Sequence, residues 1–113
     1  MYEIPEIRWQ EFVLWLFRRR KRYQVQGNSM LPLLKPGEEV LADPHAYTHR
    51  NPFPGEIVVA SHPHRSALKI IKRVRAVSAD GRVDLAGDNP AESTDFDALG
   101  PEHLLGRVTS RFG

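Results

Sequence analysis

The stretch Leu68-Lys69-Ile70-Ile71-Lys72-Arg73-Val74-Arg75-Ala76-Val77 decides the fold class of this chain. Its β-branched residues, with no glycine or proline among them, predict a long β-strand. Side chains alternate along a strand, so one face carries Leu68, Ile70, Lys72, Val74 and Ala76. The other face carries Lys69, Ile71, Arg73, Arg75 and Val77, and its three cations predict the wetter side. Lys72 is therefore a lone charge on the apolar face.

The sequence around this strand has the same β character. From Gln24 onward, short runs of valine, isoleucine and leucine are separated by Pro-Gly, Asp-Gly and Asn-Pro pairs. The predicted strands are 23–26, 38–42, 56–60, 67–77, 82–86 and 104–111. Asp80-Gly81 predicts a hairpin turn, and the proline-rich segment 44–54 predicts a surface loop.

The N-terminal part differs from the rest. Trp9, Phe12, Val13, Leu16 and Phe17 follow helical spacing, which predicts an amphipathic helix over 5–20. Its apolar run 12–17 is far shorter than the ~17–25 residues of a membrane span. A secretory signal has its charges before the apolar run, whereas here the cations 18–22 follow it. We therefore expect no cleaved signal and no anchor, and a cytoplasmic chain for which peripheral membrane contact stays open.

Composition limits the function further. The 113 residues fit one domain and include no cysteine, which excludes thiol catalysis, disulfides and cysteine-ligated metals. Of the sixteen lysine and arginine residues five form the run 18–22, and the remaining eleven face fourteen acidic residues, so the basic character is local. We predict a mainly β domain of short, mostly antiparallel strands over 23–113, preceded by a helix and basic run over 1–22.

Lys72 is the first candidate for chemistry. Burial disfavours the charged form of a lysine, so its pKa would fall from ~10.4 toward about 7–8, where the amine can act as a base. The alternative is a lysine near a sheet edge that extends its ammonium to water, and the strand alone favours that alternative.

Ser29 is the second candidate. It follows the flexible pair Gly27-Asn28 and lies shortly before Pro32, which predicts an exposed bend. A serine hydroxyl is a weak nucleophile, and a neutral lysine can remove its proton. Taken alone, a serine at such a bend is more often a cap or turn residue. A third segment, the polar loop 87–95, directly follows a predicted strand.

These segments together resemble the signal peptidase I family of serine–lysine proteases. Residues 27–34 look like the segment with the family's nucleophilic serine, and Ile71-Lys72-Arg73-Val74 looks like the segment with its lysine. Residues 54–59 are similar to the intervening strand, and 87–95 to the last conserved segment. Four matches in the right order within 25–106 carry the resemblance.

The resemblance implies coiled β-sheets of the signal-peptidase type and a catalytic pair of Ser29 and Lys72. Ser93 would hydrogen-bond the lysine amine, while Asp88 and Asn89 would organise the loop. The backbone N–H of Ser29 would serve as an oxyanion donor, worth ~3–4 kcal/mol. No metal and no cofactor is implied. Further supporting and substrate-binding positions would be Asp95, Gly27, Met30 and Pro32.

Two positions depart from the family's pattern. Gly27 stands where many members have a hydroxyl that stabilises the oxyanion, so this side chain cannot contribute. Phe96-Asp97 stands where the family usually has Ser-Arg, so the usual ion pair of Asp95 cannot form.

Within the family, the length and residues 105–112 resemble the maturation proteases of nickel-type superoxide dismutase. The implied function is removal of a short leader from that precursor, a protein partner rather than a nucleic acid. One alternative is an anchor-less signal peptidase acting on secretory precursors. Another is a non-enzymatic module that binds nucleic acid or an anionic membrane through the basic run. A self-cleaving repressor relative fits less well, because the Ala86-Gly87 bond lies inside the predicted core.

The histidines offer a rival metal-site hypothesis. His62-Pro63-His64 is the densest group, and His45, His49 and His103 complete the set. We interpret them as solvated loop residues, because no carboxylate cluster accompanies them. We likewise interpret Asp80, Asp84, Asp95 and Asp97 as turn residues rather than as an acid–base pair.

Overall fold

The computed structural model describes residues 4–112, so the ends of the predicted segments 1–22 and 23–113 lie outside the described residues. The strands form one open sheet in the order β1-β2-β7-β3-β4-β5-β6, with every neighbouring pair antiparallel. One α-helix precedes them. The prediction of a mainly β, antiparallel domain with a short helix is confirmed. The elements are α1 Trp9–Leu16, β1 Lys21–Gln24, β2 Glu39–Asp43, β3 Ile57–Ser61, β4 Lys69–Val77, β5 Val83–Ala86, β6 Phe96–Leu99 and β7 Leu104–Phe112.

Strand β4 joins the two halves of the sheet. It pairs with β3 from Ser61↔Lys69 to Ile57↔Arg73, but β5 joins it only from Arg73 onward. The first half of β4 thus has β3 on one side and no paired strand on the β5 side among the described residues. Asp80-Gly81 lies in the β4–β5 connection as predicted, with Gly81 at a φ of 86°.

Both faces of the sheet are covered by apolar residues. Ile57 and Val59 of β3 belong to one core, and the alternate residues Val58 and Ala60 belong to the other. The first core also contains residues of the 25–34 segment. The prediction of a wet second face of β4 is wrong at Ile71, which is buried in this first core, because that segment packs over it.

The helix is shorter than the predicted range 5–20. Before it, the chain runs extended beside β7, where Ile7 N donates to Arg111 O at 2.8 Å and Arg111 N donates to Pro5 O at 2.9 Å. After it, Arg18 has a φ of 61°, outside the right-handed helical region. Strand β1 then begins at Lys21, inside the basic run.

Strand β6 was not predicted, because Asp95 and Asp97 were interpreted as turn residues. It is a short edge strand joined to β5 through Val83↔Leu99 and Leu85↔Phe96. The predicted loop 44–54 does connect β2 to β3. No helix in the described part of the chain has the length and apolar character needed to cross a bilayer.

Candidate active site

Ser29 lies in a turn that two buried side chains hold against the sheet. Gly27 has a φ of 73°, a conformation that glycine adopts without steric cost. The next turn closes by Leu31 N donating to Asn28 O at 3.2 Å and Leu34 N donating to Met30 O at 2.9 Å. Met30 and Leu34 are both buried in the first core. Ser29 therefore lies between a glycine with a positive φ and two buried apolar side chains that hold the turn in place.

The loop after β5 contacts the serine turn directly. Asn89 N donates to Ser29 O at 2.8 Å, and Asn89 Nδ2 donates to Asn28 O at 3.0 Å. A Cβ at Gly87 would lie 2.4 Å from both Ser29 O and Ser93 Oγ. Only glycine allows this approach, so Gly87 and Asn89 together set the distance between the loop and the Ser29 turn.

Lys72 is buried in the middle of β4, with 5% of its surface exposed. Its Nζ donates to Ser93 Oγ at 3.0 Å, and the same oxygen accepts from Gly87 N at 2.9 Å. Within the part that the structure describes, no carboxylate forms an ion pair with this amine. Burial lowers the pKa of Lys72, and the more distant charge of Asp95 partly opposes that effect. The amine is thus biased toward its neutral form.

Ser29 and Lys72 line the same cleft, which has a volume of about 310 Å³. Its lining includes the end of β1, the loop after it and residues 68–72. His62 and Phe96 add an aromatic wall, with ring centroids 5.2 Å apart and the planes almost perpendicular. The structure therefore brings the two predicted chemical groups to one solvent-accessible space.

Two arginines of β4 brace the loop that carries Ser93. Arg73 binds both oxygens of Asp88, at 2.8 and 2.9 Å, and also donates to Gly55 O. The hydrogen bonds that Arg73 donates to Asp88 raise the pKa of Arg73. Arg75 donates to Asp95 at 3.1 Å and to Asp97 at 2.6 Å. Asp95 therefore does form an ion pair, with Arg75 of β4 instead of the arginine that the family usually has at position 97. Asp97 binds the same Arg75.

The other predicted site residues divide into two groups. Gly27 and Met30 line the cleft, whereas Pro32 is exposed and lies outside its lining. Sequence reasoning missed His62, Phe96 and the close approach at Gly87. His62 and Phe96 come from segments far apart in sequence, so no local pattern could have linked them. The Gly-Asp-Asn run at 87–89 did carry a signal, because glycine often marks a close backbone approach.

No group of three or more histidine, aspartate or glutamate side chains among residues 4–112 is arranged to hold a metal ion. His62 and His64 lie near each other, with ring centroids 6.0 Å apart, and His103 Nδ1 instead contacts Ser61 Oγ at 3.2 Å. Asp80 remains in the β4–β5 turn, where Ser78 Oγ and Arg82 N bind its carboxylate. Asp84 accepts from Ala98 N at 2.7 Å and so connects β5 to β6.

Comparison with known proteins gives the family. Residues 11–89 match the family described as signal peptidase, peptidase S26. The chain is also similar to signal peptidase I of Buchnera aphidicola subsp. Baizongia pistaciae (strain Bp), with 31% identity over 70 aligned positions. That alignment covers 51% of this chain and 23% of the relative, so the chain spans less than a quarter of the relative's length.

The matched residues 11–89 include the Ser29 turn and β4, which contribute most of the cleft lining, and Asn89, which binds the Ser29 turn. Three lining residues, Glu92, Thr94 and Phe96, follow the matched range. The family is one of peptidases, in accord with a cleft that holds a serine and a buried lysine. Since the match extends over more than half of the sequence, this chain belongs to the signal peptidase family, peptidase S26.

Proposed function

We propose that this chain is a cytoplasmic serine endopeptidase that removes a short N-terminal leader from a precursor protein. Ser29 is the nucleophile and Lys72 the general base. The observation that carries the proposal is a buried lysine, without a carboxylate partner in the described residues, that lines the same cleft as Ser29. Burial lowers the pKa of this lysine, which increases the fraction of unprotonated amine that can act as a base.

The chemistry follows from the hydrogen bonds. Ser93 Oγ accepts from Gly87 N and from Lys72 Nζ, so its two acceptor positions are filled and the lone pair of neutral Lys72 stays free. That lone pair takes the proton of Ser29, whose Oγ attacks the scissile carbonyl carbon. Lys72 then gives the proton to the leaving amine, and the product is an acyl-enzyme. Water, deprotonated by the same amine, then attacks the ester carbonyl carbon. As the bond from that carbon to Ser29 Oγ breaks, Lys72 returns the proton to Ser29 Oγ and the acid product leaves.

The substrate is proposed to bind as an extended segment. Among residues 4–112, no strand pairs with the first half of β4 on the β5 side, and residues 24–27 line the same cleft. A peptide placed between these two backbones can add to the sheet as a further strand. The backbone N–H of Ser29 is the proposed oxyanion donor, and Gly27 contributes no side chain.

Two precursor classes are candidates for the substrate. The resemblance in residues 105–112 supports the precursor of nickel-type superoxide dismutase. The similarity to a protein named signal peptidase I supports secretory precursors instead. Both have an N-terminal segment to remove, and both fit the same cleft chemistry.

The test is to incubate the purified chain with each precursor and follow cleavage by intact-mass spectrometry. We expect one precursor to be cleaved and Ser29→Ala to cleave neither. Ser66→Ala, which changes an exposed serine outside the cleft, is the matched control and should retain full activity. If both precursors remain intact, or if Ser29→Ala cleaves as well as the parent, the proposal is wrong.

A further inference from the structure

Helix α1 presents its apolar side to solvent. Among the six large hydrophobic residues that are exposed in the described part of the chain, four belong to α1 or directly follow it. Their exposed fractions are 75% for Trp9, 37% for Phe12, 58% for Leu16 and 76% for Phe17. Trp9, Phe12 and Leu16 lie three and four positions apart, so they share one side of the helix. A surface helix normally turns this side toward the core.

Polar contacts hold the helix in this orientation. Glu11 accepts hydrogen bonds from Thr109 and Ser110 of β7 and from Arg20, and its side chain is largely buried. Trp15 packs edge-on against Phe112, with ring centroids 5.6 Å apart. The helix is therefore fixed to the sheet through Glu11 and Trp15, and these contacts direct the remaining aromatic residues outward.

The basic run divides between internal and external roles. Arg20 binds Glu11, and Arg22 binds Glu39 while lying over the rings of Trp15 and Phe112. Arg18, Arg19 and Lys21 are exposed and have no carboxylate partner among residues 4–112. Three cations therefore border the apolar side of α1 at its C-terminal end.

We propose that this surface, formed by Trp9, Phe12, Leu16 and Phe17 with Arg18, Arg19 and Lys21, docks on the surface of an anionic lipid bilayer. Aromatic and aliphatic side chains enter the boundary between headgroups and acyl chains, while adjacent cations contact anionic headgroups. The proposal is independent of the peptidase activity, because the surface includes neither Ser29 nor Lys72.

Charge and shape favour a bilayer over other partners. In a two-fold pair of this surface, parallel helices would bring the cations 18, 19 and 21 of both copies together. Antiparallel helices would place these cations at the positive end of the partner's helix dipole, so both arrangements are unfavourable. A nucleic acid would use the cations and stack on aromatic rings, but Leu16 in the centre offers no ring for stacking. A bilayer uses the apolar and the cationic parts at the same time.

The experiment measures binding of the full chain to vesicles of equal parts phosphatidylglycerol and phosphatidylcholine, with pure phosphatidylcholine vesicles as reference. Co-sedimentation gives the affinity, and tryptophan fluorescence reports insertion. We expect binding to the anionic vesicles, at least tenfold weaker binding to neutral ones, and weakening by salt. The Ser29→Ala variant should bind as the parent does, which separates this result from any failure of the peptidase proposal.

Two double variants test the two parts of the surface. Trp9→Ser with Phe17→Ser should abolish binding. Arg18→Gln with Arg19→Gln should weaken it about 25-fold, since each cation near an anionic surface contributes about fivefold. The matched controls are Phe53→Ser, an exposed phenylalanine outside the helix, and Lys35→Gln with Arg65→Gln. Both controls should leave binding unchanged, and thermal unfolding should show every variant folded.

Several outcomes would overturn the proposal. One is equal binding to neutral and anionic vesicles, or no binding to either. Another is self-association that Trp9→Ser with Phe17→Ser removes, which would identify a second copy as the partner. A third is tight binding to a single-stranded oligonucleotide with no binding to vesicles.

Discussion

Two buried charged residues of this protein have opposite surroundings. Glu56 directly precedes β3, and Lys72 lies in the neighbouring strand β4. Glu56, with 3% of its surface exposed, accepts from Arg50 through both oxygens, from Phe53 N at 2.8 Å and from Tyr47 Oη at 3.2 Å. Lys72, with 5% of its surface exposed, donates one hydrogen bond from its amine within the described residues, to the neutral hydroxyl of Ser93. One charge is surrounded by partners, and the other is nearly alone.

The pKa values of Glu56 and Lys72 are both lowered, but this favours the charged form of Glu56 and the neutral form of Lys72. Burial alone would raise the pKa of Glu56, but the hydrogen bonds from Arg50 and Phe53 outweigh it and lower the pKa, which favours the carboxylate. Burial lowers the pKa of Lys72, which disfavours the ammonium. A charge with enough partners stabilises the fold, whereas an amine without them is kept reactive.

The largest expected effect is the loss of the lysine base. Lys72→Met should lower kcat/KM about 10³-fold or more, because no other base in the proposed mechanism can take the Ser29 proton. The free energy of unfolding should stay equal to that of the parent or rise, since an apolar side chain replaces a buried amine. Precursor cleavage and urea unfolding are the two measurements.

The pH dependence of stability checks the same substitution. A pKa that is lower in the folded state makes the parent more stable as pH rises from the folded-state pKa of Lys72 to the ordinary lysine pKa. This rise should be absent in Lys72→Met. Full cleavage by the variant, or a strong loss of stability, would contradict the contrast with Glu56.

The second effect concerns stability rather than rate. Glu56→Gln should lower the free energy of unfolding by about 2–4 kcal/mol, because Arg50 loses a charged partner near a buried position. Glu39→Gln removes the carboxylate of the more exposed pair with Arg22 and should cost less than about 1 kcal/mol. Urea unfolding at pH 7 measures both.

Acid should cancel the effect of Glu56→Gln. The lowered pKa of Glu56 gives stability that is present above the unfolded-state pKa and is lost as pH falls through the folded-state pKa. The parent and Glu56→Gln should therefore approach equal stability in acid. A constant difference down to low pH would show that Glu56 does not act through its charge.

The third effect concerns the hydrogen bond that Lys72 donates to Ser93. Ser93→Ala removes the hydrogen-bond acceptor of its amine and should lower kcat/KM about 10–100-fold, through a misplaced base. The pKa of Lys72 should fall further, so the acid limb of the pH–rate profile should move to lower pH. Ser93→Thr retains the hydroxyl and should restore most of the rate, an outcome that a purely structural role of position 93 does not require.

The smallest effect tests the distant charge on Lys72. Asp95 raises the pKa of Lys72, so Asp95→Asn should lower that pKa and move the acid limb of kcat/KM to lower pH by less than about one unit, because Asp95 is half exposed. Asp97→Asn is the matched control, since Asp97 binds the same Arg75 but is more exposed than Asp95, so solvent screens its charge more strongly and the shift should be smaller. Equal shifts in both variants would contradict this assignment.

Local patterns were sufficient for most of the fold. The periodicity of residues 68–77 predicted β4, and Asp80-Gly81 predicted the hairpin that follows it. The same reasoning failed at β6, where aspartates indicated a turn but tertiary pairing with β5 formed an edge strand. It also failed at the helix ends, because pairing of residues 5–7 with β7 replaced helical hydrogen bonds.

For the site, the sequence supplied candidates and the structure supplied their surroundings. Ser29, Lys72 and Ser93 were selected from the alternation of β4 and from a family resemblance. That Asn89 holds the Ser29 turn, and that Arg75 binds Asp95, could not be predicted, because these contacts join segments about 20 to 60 residues apart.

The sequence by itself selected Lys72 and Ser29 as candidates for the reaction, because a lone lysine on an apolar strand face and a serine after Gly-Asn are local features. Only the tertiary structure decided that Lys72 lacks the partners that surround Glu56, and that Gly87 lets the loop approach Ser29 closely. It also decided that α1 turns its aromatic side to solvent. The physical reason is that burial and partner number depend on distant segments that pack together, which no local spacing specifies.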